Sequence, residues 1–310
     1  MLNLFLTYKC SLKCDYCFAT GLANEFPEVL SKDNFSRLRK WLNNNGIMSL
    51  ALLGGEPTLH PHMEQFLYQL QENGIMVAIF TNGLFNEGVR ESLTSNVANF
   101  VINYNDPSTY RESEWKLLHN NLNCLKENGC RVSFSKNFAK KSLRYDYLLE
   151  ACREYRIKKV RYDITRPNPN KYNDHYDLND TKEVLNKVVS FVRECDAGGI
   201  QTGLDCCIPL CYFEDEDRDF LKKVSLKFSG ICHPSIDIHP DLSASYCLPM
   251  RHVTIEDVTK YAGERAILQY FSESVRNIRF SNPSSACKEC CDYKTRCQGG
   301  CLALKGSAIL

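Results

Sequence analysis

Cys10, Cys14 and Cys17 follow directly on the apolar run Leu2–Thr7, in the spacing C-x3-C-x2-C. Three thiols on one short loop restrict the fold more than any other feature of the chain. They belong to a surplus, for 17 of the 310 residues are cysteine. Such a surplus fits either a secreted disulfide framework or metal chemistry. The first residues, MLNLFLTYKCSLKC, carry no basic leader, long apolar core or small-residue cleavage site. No run of 18 apolar residues offers a membrane span. The expectation is therefore a cytoplasmic chain among reducing thiols, where metal or redox chemistry is favoured over disulfides. Lys and Arg total 38 against 37 Asp and Glu, which argues against a nucleic-acid or membrane partner held by bulk charge.

Short apolar runs alternate with helix-period segments through the first two thirds. The strand-like runs are Leu2–Thr7, Met48–Leu53, Met76–Phe80, Asn99–Asn103, Arg131–Ser135 and Lys159–Ile164. Between them, Phe35, Leu38 and Leu42 share a helix face, as do Met63, Phe66, Leu67 and Leu70. Leu118, Leu122 and Leu125 repeat the pattern, and so do Leu148, Leu149, Cys152 and Tyr155. Six strands separated by helices imply a parallel α/β sheet, either open and doubly wound or curled into a full or partial barrel. A further helix is expected over Thr181–Cys195, with Leu185, Val188, Val192 and Cys195 on one face. From about Gly198 the chain turns irregular and cysteine-rich, so a domain boundary is expected near residue 198, giving domains 1–198 and 199–310.

Three thiolates can hold three irons of a [4Fe-4S] cube and leave the fourth open. A structural zinc site would want a fourth Cys or His nearby, and the next His is His60. The segment Cys10-Ser11-Leu12-Lys13-Cys14-Asp15-Tyr16-Cys17, with Tyr16 flanking the last thiol, resembles the radical S-adenosylmethionine (SAM) signature. Gly54-Gly55-Glu56-Pro57 at the end of the second strand resembles the family's GGEP element. Two glycines let the backbone approach a ligand closely, and Glu56 offers an anionic acceptor for an ammonium. The resemblance implies a partial (β/α)6 barrel with its site at the C-terminal ends of the strands. It assigns the GGEP element to the methionine amino group of SAM. Thr81-Asn82-Gly83 closes the third strand as in relatives, which makes Asn82 a cofactor-wall residue. Asn103 stands where relatives often carry a ribose-contacting Ser, and Ser135 and Arg161 are further candidates for that wall.

The C-terminal run Cys287-x2-Cys290-Cys291-x5-Cys297-x3-Cys301, with Cys232 and Cys247 upstream, resembles the SPASM/twitch extension. That extension is a small α+β domain holding one or two auxiliary [4Fe-4S] clusters. The resemblance implies Cys232, Cys247 and Cys301 for the first and Cys287, Cys290 and Cys297 for the second. The chain departs from the pattern in three places. Leu242 replaces a glycine five residues before Cys247, Cys290 and Cys291 are adjacent so that either could be the ligand, and no cysteine follows the run. The second cluster is then held by three cysteines of the chain, uses Cys291, recruits an upstream thiol or does not form. Cys206, Cys207 and Cys211 could supply missing ligands, with Cys211 favoured for the first cluster. A four-cysteine zinc site is the alternative for the run. Cys124, Cys130, Cys152 and Cys195 read as core or inert thiols.

The resemblance implies one-electron reduction by a flavodoxin or ferredoxin, cleavage of SAM and hydrogen abstraction from a substrate carbon by the 5′-deoxyadenosyl radical. The cofactors carry the hard step. Asp163, Asp205 and Asp237 are available acids. Relatives with this extension commonly modify peptides or proteins, which makes a peptide or protein the expected substrate. The alternative is a dehydrogenase or cyclase acting on a sugar, amino acid or nucleoside. A start almost at the first strand suggests the lack of a leader-peptide-binding domain, which counts against the peptide. An iron–sulfur carrier without catalysis is the remaining class, and the three-cysteine loop with GGEP speaks against it.

Overall fold

The computed structural model describes residues 1–168, 173–176, 181–280, 285–290 and 292–306. The chain is α/β and divides into two compact units whose segments interleave along the sequence. One comprises Met1–Cys14, Ala19–Phe134 and Pro234–Phe271; the other comprises Asp15–Phe18, Ser135–His233 and Ser272–Leu310.

The first unit is built on β1 (Leu2–Thr7), β2 (Ser49–Gly54), β3 (Met76–Thr81) and β4 (Asn99–Asn103). They pair in parallel and in sequence order. Parallel strands need crossovers, supplied by α1 (Lys32–Asn44), α2 (Met63–Glu72) and α3 (Glu87–Asn96). A fourth helix, α4 (Glu112–Glu127), follows β4. Leu2, Leu4, Phe5 and Leu6 of β1 are all buried, as expected of a parallel strand covered on both faces. Ser31 caps α1 by accepting from the amide of Asn34. Phe35 of α1 stacks on Phe66 of α2 with ring centroids 3.7 Å apart, on the faces read from the sequence.

Three two-residue strands extend this sheet on the other side of β1. They are β9 (Asp237–Ile238), β10 (Ala244–Ser245) and β11 (Thr254–Ile255), with β9 parallel to β1 and the others antiparallel. Asn3 donates to Asp237 Oδ1 at 2.8 Å, and Oδ2 accepts from the amide of Leu248. Asp237 thus ties β9 in place. In the turn between β9 and β10, Leu242 has φ 70. The position has the left-handed backbone that favours glycine, at a cost of about 1–2 kcal/mol for a side chain. The fully buried leucine offsets that cost.

His239 lies in the same turn, with Tyr8 on Nδ1, Ser245 on Nε2 and Phe26 stacked at 3.7 Å. Burial lowers its pKa to about 4, with Asp241 opposing and Arg251 reinforcing the shift. A folded pKa below the unfolded value of about 6.5 means stability present above pH 6.5 and lost as the pH falls towards 4. Over that window the wild type is expected to lose about 3 kcal/mol relative to His239→Gln in denaturant titrations.

The second unit carries β6 (Lys159–Ile164), β7 (Gln201–Leu204) and β8 (Ser225–Leu226), parallel in that order. β5 (Val132–Phe138) begins in the first unit and ends in the second. α5 (Asp146–Glu154), α6 (Thr181–Ala197) and α7 (Asp215–Val224) connect them. Leu185, Val188, Val192 and Cys195 of α6 are buried together, as the periodicity required. Phe138, Tyr145 and Tyr162 pack edge-on against Phe191 of α6. The short helices α8 (Glu264–Ser274), α9 (Arg276–Phe280), α10 (Ser285–Glu289) and α11 (Leu302–Gly306) complete the described chain.

The sequence expectation stops at six strands, whereas β7 and β8 continue the sheet past β6. Strands of two to four residues are too short to show alternation, so the region after residue 198 reads as irregular.

Candidate active site

In the first unit the loop carrying the first cysteines is held by the end of β2. The amide of Gly55 donates to Thr7 O at 2.8 Å, and that of Glu56 donates to Lys9 O at 2.7 Å. A Cβ on Gly54 would strike the carbonyl oxygen of Thr7, and one on Gly55 that of Lys9. Both glycines are thus needed for close approach, but what approaches is the backbone leading into Cys10.

The Glu56 carboxylate is fully buried. Its Oε1 accepts from the Thr58 amide at 3.2 Å, Thr58 Oγ1 at 2.7 Å and Thr81 Oγ1 at 2.8 Å, and Oε2 accepts from the Asn82 amide at 2.7 Å. Burial raises its pKa, opposed by those four hydrogen bonds. Pro57 opens the short helical turn that Glu56 caps. Glu56 therefore joins the ends of β2 and β3.

From the end of β3, Asn82 Nδ2 donates to Ser11 Oγ at 3.0 Å and lies 4.0 Å from Cys10 Sγ. From the end of β4, Asn105 Nδ2 lies 3.8 Å from Cys14 Sγ, while its Oδ1 accepts from Asn103 Nδ2 at 3.3 Å. Tyr110 Oη accepts the Asn105 amide at 3.1 Å and fixes the turn. Amide donors at two sulfurs suit thiolate ligands, whose charge such bonds stabilise. Cys10 is exposed and Cys14 half-buried. Residues Thr58, Asn105 and Tyr110 escaped the sequence reading, as did the bond from Thr81 of the strand-closing motif to Glu56. For Asn105 a signal existed, since it stands two residues beyond Asn103 and so on the same side of an extended chain. His60 offers no fourth ligand, because Nε2 is engaged by Leu30 O at 2.9 Å and Nδ1 by the His62 amide at 3.1 Å.

In the second unit Cys17 is half-buried, and the carbonyl of Tyr16 accepts from Asn173 Nδ2 at 3.0 Å. Ser135 is buried and accepts from Arg161 at 3.0 Å, and Arg161 also pairs with Asp205. Despite burial, Arg161 holds the Asp205 carboxyl below its ordinary range. Asp163 is pushed up by burial, with Arg166 opposing. The acidic atoms of Asp163 and Asp205 and the sulfur of Cys206 lie within 4.8 Å of one another.

Among the described residues of this unit, seven further cysteines form two groups. Cys232 hydrogen-bonds Cys207 and Cys301, and all three are buried. Arg166 donates to Cys207 O at 3.2 Å, and the Cys301 and Cys206 sulfurs favour its charge. Its Nε is buried with no hydrogen-bond partner among the described residues. A guanidinium with an unused donor beside three thiols suits a thiolate-held anionic centre. Cys211 lies elsewhere: it is exposed, and partial desolvation and the sulfurs of Cys297, Cys287 and Cys290 push its thiol pKa up. Cys207, rather than Cys211, is the thiol that neighbours Cys232 and Cys301. Cys247 lies in the first unit, half-buried, ahead of Leu248–Met250. Cys291 lies outside the described residues. Burial raises Cys152 to about 12 and raises Cys195 as well, consistent with packing thiols.

The model of the Radical SAM superfamily matches residues 4–165. A probable GTP 3′,8-cyclase of Methanococcus maripaludis (strain C7 / ATCC BAA-1331) is 26% identical over 114 residues, covering 36% of this chain and 38% of the relative. The antilisterial bacteriocin subtilosin biosynthesis protein AlbA of Bacillus subtilis (strain 168) is 32% identical over 78 residues, covering 25% of this chain and 17% of AlbA. The matches thus span well under half of these relatives. Streptococcus suis SuiB, solved with S-adenosylmethionine bound, superposes with a TM-score of 0.68 at 18% identity, over 97% of this chain and 72% of SuiB. SuiB has also been solved with its precursor peptide SuiA. Among the described residues no helix is long and apolar enough to cross a membrane.

Proposed function

The chain belongs to the radical SAM superfamily, and on that premise we propose that it is a SAM-cleaving enzyme whose substrate is a peptide or protein. The observation that carries the catalytic part is the link from the buried Glu56 through Asn82 to Cys10. Cys10, Cys14 and Cys17 would hold a [4Fe-4S] cluster, leaving one iron for the amino and carboxylate groups of SAM. When bound and reduced by a flavodoxin or ferredoxin, that cluster supplies reductive cleavage of SAM to methionine and a 5′-deoxyadenosyl radical that takes hydrogen from the substrate.

The chain's own residues position and shield. Gly54 and Gly55 bring Glu56 against the cysteine loop, and Pro57 pre-forms the turn. Glu56 Oε2, with one hydrogen bond filled, keeps an acceptor for the SAM ammonium. Asn82 and Asn105 steady the thiolates, and Asn103 orients Asn105. Tyr16, Ser135 and Arg161 complete the cofactor-binding set by family resemblance. Residues 1–198 form the SAM-binding part of the proposal and 199–310 the auxiliary part. Cys207, Cys232 and Cys301, joined by Cys247 on sequence spacing, are assigned to an auxiliary cluster. Asn105→Leu is expected to cut 5′-deoxyadenosine formation about 10- to 100-fold, as loss of an outer-shell partner does.

SuiB with its precursor peptide and the naming of AlbA support the peptide reading. The similarity to a GTP 3′,8-cyclase favours the second reading, a cyclase or dehydrogenase acting on a small molecule. The experiment is hydrogen transfer into 5′-deoxyadenosine from deuterated substrates under reducing conditions. A peptide encoded beside the gene should deliver deuterium and GTP should not. The reverse result selects the second reading.

A further inference from the structure

We propose that Cys211 is the fourth thiolate of a four-cysteine iron–sulfur centre shared with Cys287, Cys290 and Cys297. The inference rests on reading the C-terminal cysteines as cluster ligands, and it adds a ligand that the C-terminal run does not contain.

The backbone brings the two stretches together. Cys211 is the middle residue of the helical turn Leu210–Tyr212, directly after Pro209. A Cβ on Gly300 would collide with the Pro209 ring, so this turn abuts the residues that follow Cys297. Ahead of it, the Ile208 amide donates to Ser229 O at 3.2 Å. The next carbonyl, that of Gly230, accepts the amides of Gln298 at 2.9 Å and Gly300 at 3.1 Å. Gly230 also bridges to Cys297, whose sulfur occupies the place of a side chain at residue 230. Within the run, the Tyr293 amide donates to Cys290 O at 3.1 Å, and the Lys294 amide to Cys297 O at 2.9 Å.

Side chains agree with the backbone. The Cys211 thiol lies within electrostatic range of the Cys287, Cys290 and Cys297 sulfurs, and Tyr212 within range of Cys211 and Cys287. Tyr293, beside Cys287 and Cys297, has a buried hydroxyl with no hydrogen-bond partner among the described residues. A buried, unpartnered hydroxyl within electrostatic range of two of these thiols suits a cluster whose sulfide would accept from it. Lys305, next to the same two sulfurs, is anchored by Gln298 O at 2.6 Å and Arg279 O at 2.9 Å, so a fixed cation lies beside the proposed anionic centre.

The test reads iron, sulfide and zinc per chain and the electron paramagnetic resonance of the full-length protein after anaerobic reconstitution. Cys211→Ala should remove about four irons, or leave a three-iron cluster with its own oxidised-state signal. Cys211→Ala combined with Cys287→Ala should lose no more iron than Cys287→Ala alone. Combined with Cys301→Ala, it should lose the sum of the two single losses. Formation of 5′-deoxyadenosine without substrate serves as the fold control and should stay within about twofold of wild type, because the assigned SAM-cleaving ligands are untouched. Unchanged iron and spectra in Cys211→Ala, losses additive with Cys287→Ala but not with Cys301→Ala, or zinc in place of iron would overturn the proposal. None of these would touch the SAM-cleaving assignment, which fails only if the wild type makes no 5′-deoxyadenosine.

Discussion

Cys14→Ala is expected to bring 5′-deoxyadenosine formation down to the level of SAM and dithionite without protein, and to remove about four irons per chain. Two thiolates cannot hold the cube that three hold, and neither His60 nor Ser11 is available to replace the third. His60, the nearest histidine in sequence, has both ring nitrogens engaged. Ser11 is the partner of Asn82. Cys152→Ala is the matched control: burial holds that thiol as an unreactive packing group, so iron content and product should match wild type. Equal losses in the two variants would mean that iron is lost through general destabilisation.

Glu56→Gln is expected to weaken SAM binding by about 2 kcal/mol, roughly a thirtyfold rise in Kd, because a charge-assisted hydrogen bond to the ammonium is lost. The amide would also turn an NH2 group towards donors that the carboxylate now accepts from Thr58, Thr81 and Asn82. Leaving one buried donor unsatisfied costs about 1–3 kcal/mol of stability. The pH dependence separates the two effects. Burial raises the Glu56 pKa in the unliganded protein, so its contribution to stability is present below the ordinary carboxylate range and is lost as the pH rises through the folded pKa. An ammonium favours the anion, so SAM affinity should rise with pH over that same interval. Glu56→Gln should abolish both slopes, which calorimetry of SAM binding at several pH values would read.

Much of the scaffold was legible because parallel strands buried on both faces leave continuous apolar runs, as in Leu2–Thr7, and their helices leave one apolar face. The positions of Cys10, Glu56 and Asn82 were legible for a different reason, since each sits at or just past a strand end. Their partnership was not. Glu56 meets Thr81 and Asn82 only through the β2–β3 crossover, and nothing local in the sequence states which donors a buried carboxylate collects. At the two glycines the sequence suggested close approach to a ligand, and the structure shows in addition the backbone after β1 lying against them. Cys211 was favoured for the first auxiliary cluster, with Cys232 and Cys301. The close approaches of Pro209 to Gly300 and of Gly230 to Cys297, which no local sequence pattern announces, support the proposal that groups it with Cys297 instead. Leu242 shows the converse, a leucine in the left-handed conformation that favours glycine.

The central claim is that the thiols of Cys10, Cys14 and Cys17 hold a SAM-cleaving cluster. The most direct measurement is 5′-deoxyadenosine formed by the anaerobically reconstituted protein with dithionite and SAM, without any substrate. Product well above the protein-free level, absent in Cys14→Ala, is the predicted result. No product from protein carrying its full complement of iron and sulfide would contradict the claim.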